Sequence, residues 1–173
     1  MKTKFAGHLL VGLVCAGLFG PSAEMAAGMS IGGGAYYQKT VGEIEENDDF
    51  DDDAISWLVS LQMELPVIFT LEGDLEITPD YGGSDETLLQ PQAYLLIGSL
   101  IYAGAGIGVA YLDGEWSDDP FYALRAGLDI PLGDRVSFDI NANYRFMDSS
   151  VFDDLDEEDS DSITFGALIR FDL

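Results

Sequence analysis

The sequence contains very few of the residues that carry acid–base, thiol or nucleic-acid chemistry. Its 173 residues include one His and one Cys, and both precede residue 20. Basic residues number 7 against 32 acidic ones, which gives a formal charge of −25. Nucleic-acid binding requires clustered Lys and Arg, so this balance argues against nucleic acid as a partner. A hydrophobic fraction of 47% nevertheless indicates one folded domain rather than a disordered acidic chain.

The chain also lacks an apolar run of the length that a transmembrane helix needs. Residues 1–28 are typical of a secretory signal peptide, with lysines ahead of an apolar stretch and small residues that place cleavage somewhere in 23–28. The apolar stretch is shorter than the ~20 residues of a membrane-spanning helix, which disfavours an uncleaved anchor. Cleavage would remove His8 and Cys15, so we expect the mature domain, 29–173, to contain neither residue type.

The mature chain contains eight stretches in which apolar and polar residues alternate. This period of two is that of a β-strand with one apolar face. In the last stretch, for example, Ile163 and Phe165 alternate with Thr164 and Gly166. The register of the fourth stretch stays open, because Pro91 would remove one ladder hydrogen bond. The predicted strands are 29–41, 54–65, 67–78, 87–98, 100–112, 121–132, 135–147 and 163–173.

Short and long connections alternate between these strands. Tight turns are predicted at 65–67, 98–99 and 131–134, whereas the other connections are longer and mostly acidic. Short turns at one end and long loops at the other are typical of an even-stranded outer-membrane barrel. The sequence therefore predicts an all-β fold, an eight-stranded antiparallel up-and-down transmembrane β-barrel, with both termini on the short-turn, periplasmic side.

The alternative is a soluble eight-stranded barrel whose polar face meets water. The predicted polar faces are rich in Gly, Ser and Asn, which suit the narrow, side-chain-filled lumen of a small membrane barrel. Aromatic residues near the predicted strand ends also match the interfacial girdles of membrane barrels. Both observations favour the membrane interpretation. These aromatic residues are Tyr37, Trp57, Tyr111, Tyr122, Phe146 and Phe171.

Three segments of the mature chain carry a resemblance to a known family. Range 102–111 alternates Gly with larger residues, range 135–146 ends in Asn-Tyr-Arg-Phe, and the C-terminus resembles the signal read by the barrel-assembly machinery. The mature chain thus resembles the small eight-stranded outer-membrane barrels, the superfamily of the OmpA transmembrane domain, OmpX and the opacity proteins. The resemblance implies the outer membrane of a diderm bacterium, and assembly aided by periplasmic chaperones. The residues that match the assembly signal are Gly166, Ile169, Phe171 and Leu173.

Charged residues on the predicted inward faces form a candidate site. A buried charge is costly unless it is paired, so we expect acids of the second and third strands to meet arginines of the last three across the lumen. Two interpretations stay open, a structural salt-bridge plug and a gate whose pairs re-form to admit small ions. The predicted interior charge network is Glu64, Glu72, Asp74, Glu76, Arg125, Arg145 and Arg170.

Two acidic loops, 43–53 and 148–161, are predicted to be a solvated surface, with loose divalent bridging to lipopolysaccharide phosphates or to a host surface as the alternative. The enzymes known among outer-membrane barrels depend on a His, which the mature chain lacks, so we predict no catalytic role, no cofactor and no metal centre.

The expected partners are outer-membrane lipid and lipopolysaccharide, and the expected state is a monomer. The leading function is structural or surface interaction (envelope integrity, adhesion or loop-mediated binding), and the alternative is a narrow porin-like channel for small solutes or cations.

Overall fold

A computed structural model describes residues 28–40, 54–81, 86–117, 119–146 and 162–173. The predicted signal peptide, apart from Gly28, and the two acidic loops lie outside these ranges. No helix within the described ranges is long and apolar enough to cross a membrane. The strands are β1 (Met29–Thr40), β2 (Ala54–Glu64), β3 (Phe69–Thr78), β4 (Leu88–Gly98), β5 (Ile101–Gly108), β6 (Tyr111–Leu112), β7 (Glu115–Trp116), β8 (Phe121–Pro131), β9 (Val136–Phe146) and β10 (Ser162–Asp172).

All strands except the short β6 and β7 form a closed antiparallel barrel. β1 pairs with β2 on one side and with β10 on the other, and the ring continues through β3, β4, β5, β8 and β9. Every barrel strand therefore has two hydrogen-bonded neighbours, and the ladder has no open edge. This confirms the predicted eight-stranded antiparallel up-and-down barrel.

The side chains of each barrel strand alternate between the lumen and the outer surface, because the strand period is two. On β2, Ile55 and Val59 are exposed on the outside, whereas Leu58 and Ser60 are buried inside. The sequence left the register of β4 open, and the structure places Leu96 on the inside of the barrel. The exposed apolar residues of the barrel wall are here called the outer belt. The outer belt includes Ile31, Ile55, Trp57, Val59, Leu71, Leu75, Leu95, Ile97, Leu124, Leu128, Ile140, Phe165, Ile169 and Phe171.

The predicted fifth strand, 100–112, is wrong in its second half. β5 ends at Gly108, and the chain continues into the short β6–β7 hairpin. Gly108 pairs with Gln92, so Pro91 stands opposite Val109. The Val109 amide donates to the Pro91 carbonyl at 3.2 Å, but Pro91 has no N–H to return the second bond of the pair. The predicted alternation also fails there, because Val109 is buried rather than exposed.

Inward-facing glycines make room for large side chains in the lumen. Gly166 of β10 pairs with Tyr36 of β1, and a Cβ at position 166 would collide with the Tyr36 ring. Tyr36 cannot yield, because it is buried and its hydroxyl accepts a hydrogen bond from Arg125 at 2.8 Å. A Cβ at Gly33 would collide with nothing, because the nearest atom would be the Leu58 carbonyl oxygen at 3.9 Å.

We expect Gly166→Ala to destabilise the folded barrel by about 1–3 kcal/mol, the usual cost of overpacking a rigid interior. Urea unfolding of the purified protein in phospholipid vesicles, followed by the fluorescence of Trp57 and Trp116, measures this. Gly33→Ala is the matched control and should leave the midpoint unchanged, because the added methyl meets no close neighbour. A Gly166→Ala midpoint equal to that of the parent would contradict the packing assigned to Tyr36.

Candidate functional site: a charge cluster inside the barrel

A cluster of fully buried charged residues fills the middle of the lumen. β3 contributes acids at every second position, because alternate residues of a strand share one face. The arginines come from β8, β9 and β10 on the opposite wall. No residue of the set is more than 5% exposed. The charge cluster consists of Glu72, Asp74, Glu76, Asp139, Arg125, Arg145 and Arg170.

Arg125 of β8 lies at the centre of the cluster and crosses the lumen to β3. Its guanidinium reaches Glu72 Oε1 at 3.1 Å and Asp74 Oδ2 at 2.7 Å. Its Nε donates to Asn143 Oδ1 at 2.6 Å. The Arg125 guanidinium carbon also lies 3.6 Å from the centroid of the Tyr94 ring, a cation–π contact. These contacts link β8 to β3, β4 and β9, so Arg125 cross-braces the barrel from inside.

Arg170 of β10 forms a second group of contacts, nearer the turn end. Its Nη2 lies 2.7 Å from Glu72 Oε1, and its Nη1 donates to Ser60 Oγ at 2.8 Å. The Arg170 Nε lies 3.5 Å from Asp139 Oδ2, which also accepts from the Tyr102 hydroxyl at 2.7 Å. Glu72 is therefore shared by two arginines, and it accepts further bonds from Ser60 and Gln62. Such sharing holds the carboxylates in one arrangement.

Arg145 of β9 forms the third group, nearer the loop end. Its guanidinium forms an ion pair with Glu76. Glu76 Oε2 also accepts from Gln92 Nε2 at 3.0 Å, and Gln92 in turn accepts from the Tyr94 hydroxyl at 2.5 Å. The guanidinium carbon of Arg145 lies 5.5 Å from the centroid of the Phe121 ring. The three groups together form one continuous set of buried contacts across the middle of the lumen.

Glu64 does not belong to the cluster, which corrects the prediction for this residue. It lies at the turn end of β2, is exposed, and forms no ion pair with any residue that the structure describes. It lines a half-open cavity of about 700 Å³ below the cluster, with Gln62, Tyr102 and Asp129 among the other lining residues. The alternation placed Glu64 on the inward face correctly, but the strand ends there and the side chain meets solvent.

Several residues that complete the site were missing from the predicted network. Asp139 is the fourth buried carboxylate, and it accepts hydrogen bonds from Tyr102 and Asn141. The signal was present in the sequence, since Asp139 alternates with Phe138 and Ile140 in the same strand. Tyr36 has the inward parity of Gly32 and Gly34, but alternation alone does not show that its hydroxyl accepts a hydrogen bond from Arg125 across the lumen.

The cluster fits an internal brace better than a metal centre. Its carboxylates are held by arginines rather than gathered around a common point. Within the described ranges, no group of three or more His, Cys, Asp or Glu residues is arranged to hold a metal ion. Removing one partner of a buried ion pair strongly destabilises the folded protein. An intact pair favours one specific arrangement of the strands that carry it.

The residues matched to the assembly signal fall on both faces of β10 and at its end. Gly166 faces the lumen against Tyr36, whereas Ile169 and Phe171 belong to the outer belt. Leu173 follows the strand at the turn end and is exposed. Ile169 pairs with Gly33 of β1, so this part of β10 also forms the seam that closes the barrel.

No protein-family model matches the chain, and comparison with curated proteins finds no match. Among solved structures, the chain is similar to Neisserial surface protein A, with 12% identity, a TM-score of 0.56 and coverage of 84% of this chain and 96% of that one. It is also similar to the N-terminal barrel domain of Pseudomonas aeruginosa OprF (11% identity, TM-score 0.52, coverage 83% and 97%). A third similar structure is the Yersinia pestis outer-membrane protein Ail (15% identity, TM-score 0.50, coverage 84% and 99%). The chain therefore has the closed eight-stranded barrel fold of these outer-membrane proteins.

Proposed function

We propose that this protein is an integral outer-membrane barrel whose role is structural or surface-interacting. The charge cluster is a fixed internal brace, and the barrel anchors its loops at the cell surface, in envelope integrity, adhesion or loop-mediated binding. The observation that carries the proposal is the inversion of the usual soluble pattern. Apolar side chains cover the outside of the barrel, and buried ion pairs occupy the inside.

The outer belt supports a location in lipid. A soluble monomer rarely exposes a contiguous apolar surface of more than a few hundred Å², whereas the outer belt runs around every barrel strand. Strands of 10–12 residues, as in β1 to β4, match the apolar thickness that an outer-membrane barrel must span when tilted. We place both termini and the short turns on the periplasmic side.

The partners follow from this location. Lipid and lipopolysaccharide would surround the outer belt, and the barrel-assembly machinery with periplasmic chaperones would deliver the chain. Gly166, Ile169, Phe171 and Leu173 would be the residues that this machinery reads. We propose a monomer, because the barrel ladder closes on itself within one chain. The proposal includes no nucleic-acid partner and no enzymatic activity.

A planar-bilayer recording on the purified protein tests the brace directly. We expect no conductance above leak, because Arg125 and its partners fill the cross-section of the lumen. Steady unitary conductance from the parent protein would contradict a fixed brace. Arg125→Ala combined with Asp74→Ala is the positive control, because it removes the side chain that crosses the lumen together with the carboxylate that would otherwise lose its ion pair.

The second candidate is a narrow porin-like channel for small solutes or cations. The half-open cavity favours it, because it already extends from the turn end to Tyr102. Within the described part of the chain, Glu76 Oε1 and Arg145 Nε also have no hydrogen-bond partner. A channel would require the ion pairs above the cavity to exchange partners. Conductance that rises with membrane voltage and selects cations would support this candidate over the brace.

A further inference from the structure

The half-open cavity at the turn end of the barrel is large enough to hold a small molecule. Its volume of about 700 Å³ lies within the range of typical ligand pockets, which is roughly 300–1,000 Å³. It lies below the charge cluster, and residues of seven of the eight barrel strands and of two turns line it. A ligand that entered from the turn end would therefore be surrounded by the barrel wall.

Three carboxylates line this cavity, and none of the described residues that line it is basic. They stand on three different strands, Glu64 on β2, Asp129 on β8 and Asp172 on β10. None of the three forms an ion pair with a residue that the structure describes. Arg135 pairs with Asp172 through the backbone at the end of the β9–β10 ladder, but it does not line the cavity. The cavity therefore carries negative charge that no cation of its own lining offsets.

The surroundings of Asp129 are a second, independent observation. Asp129 is half-buried, and its Oδ1 has no hydrogen-bond partner within the described part of the chain. The β8–β9 ladder places it directly opposite Asp139, and like charges in that position repel each other. Asp139 lies 3.5 Å from Arg170 and accepts a hydrogen bond from the Tyr102 hydroxyl. Asp129 has no comparable partner, and a cation in the cavity would supply one.

Much of the remaining lining of the cavity is apolar. Ile68 and Leu100 contribute from the β2–β3 and β4–β5 turns, and Leu96 contributes from the inward face of β4. Tyr102 joins the cavity to the charge cluster, because it lines the cavity while its hydroxyl donates to Asp139. An aromatic ring attracts a cation through its negative face. The cavity thus combines carboxylates, an aromatic ring and aliphatic side chains.

This combination suits an organic cation better than a metal ion. The three carboxylates stand on separate strands, and within the described ranges no group of three or more His, Cys, Asp or Glu residues is arranged to hold a metal ion. A compact ion would also leave the aliphatic side chains of the cavity uncovered. An ammonium group attached to an apolar body can contact both kinds of lining at once.

We propose that the half-open cavity binds organic ammonium ions that carry an apolar group. The ammonium lies beside Asp129, and the apolar group packs against Leu96 and Leu100. Glu64 and Asp172, both exposed, raise the local concentration of cations at the entrance. The site is separate from the structural or surface-interacting role, because it lies at the opposite end of the barrel from the long loops.

Fluorine NMR titration of the purified protein in phosphatidylcholine nanodiscs tests this binding. The probes are 4-fluorobenzylammonium and its uncharged counterpart 4-fluorobenzyl alcohol, and nanodiscs without protein measure partitioning into the lipid. Asp129→Asn removes a charge from the cavity and keeps the shape of the side chain, and Glu64→Gln does the same at the entrance. Asp134→Asn is the matched control, because Asp134 is exposed in the β8–β9 turn and does not line the cavity.

The expected result is saturable binding of the ammonium probe, with a dissociation constant on the order of 1 mM and at least about tenfold weaker binding of the alcohol. Asp129→Asn should weaken ammonium binding about tenfold, Glu64→Gln about threefold and Asp134→Asn less than twofold.

Three results would overturn the inference. The first is an absence of saturable binding to the parent protein, and the second is equal binding of the two probes. The third is an equal loss for Asp129→Asn and Asp134→Asn, because the cation would then bind to surface charge in general. If Asp129→Asn does not fold, an unchanged affinity of Glu64→Gln also overturns the inference.

Discussion

Arg125→Met is expected to lower the free energy of unfolding by about 3–5 kcal/mol, because it leaves buried carboxylates without their cation. The side chains of Arg125, Glu72 and Asp74 are all fully buried. Glu72 would keep Arg170, Ser60 and Gln62 as partners. Asp74 would keep no described ion pair and would carry most of the penalty. Urea unfolding in phospholipid vesicles, followed by tryptophan fluorescence, measures the loss.

Two further variants separate the loss of this ion pair from a general effect of the substitution. Adding Asp74→Asn to Arg125→Met should restore more than half of the lost stability, since the orphaned charge is removed. Arg135→Met makes the same chemical change on an exposed arginine of the β8–β9 turn and should shift stability by less than about 0.5 kcal/mol. If Arg125→Met unfolds at the same urea concentration as Arg135→Met, the charge cluster does not brace the barrel.

Val59→Arg is expected to lower the free energy of unfolding by about 2–4 kcal/mol, because it places a cation at the middle of the outer belt. Val59 lies at the centre of β2 and is 49% exposed. Ile55, on the same face of the same strand but nearer the loops, is 61% exposed. The cost of a cation on a lipid-facing surface falls to about 0–1 kcal/mol near the interface, so Ile55→Arg should be nearly neutral.

This pair of variants distinguishes lipid from water around the barrel. Strand, face and substitution type are the same at the two sites, and only the depth differs. A barrel that stands in water would tolerate an exposed arginine equally well at positions 55 and 59. Equal unfolding midpoints for Val59→Arg and Ile55→Arg in vesicles would therefore contradict the membrane assignment of the outer belt.

Strand positions and faces could be predicted from sequence because alternation is a local property. β9 and β10 start and end within one residue of the predicted bounds, and their inward and outward residues agree with the pattern at Asp139, Ile140 and Phe165. The end of β5 could not be predicted in this way. It depends on Pro91 of β4 standing opposite Val109, which requires the pairing register between two strands.

The partners within the charge cluster could not be predicted for a different reason. Arg170 and Glu72 lie 98 residues apart, and they meet only because β10 closes the barrel against β1. The sequence shows which side chains face inward, but the stagger between strands decides their height in the lumen. Glu64 illustrates the difference. It has the inward parity of Gln62 but lies below the arginines, at the mouth of the cavity.

Cell fractionation tests the central claim most directly. The claim is that an apolar outer belt around an ion-paired lumen places this barrel in the outer membrane. Membranes from a diderm bacterium that produces the protein are separated on a density gradient, and the outer-membrane fraction is extracted with alkaline carbonate. We predict that the protein remains in the extracted outer-membrane pellet. Recovery in the soluble periplasmic fraction, or release by carbonate, would contradict the account.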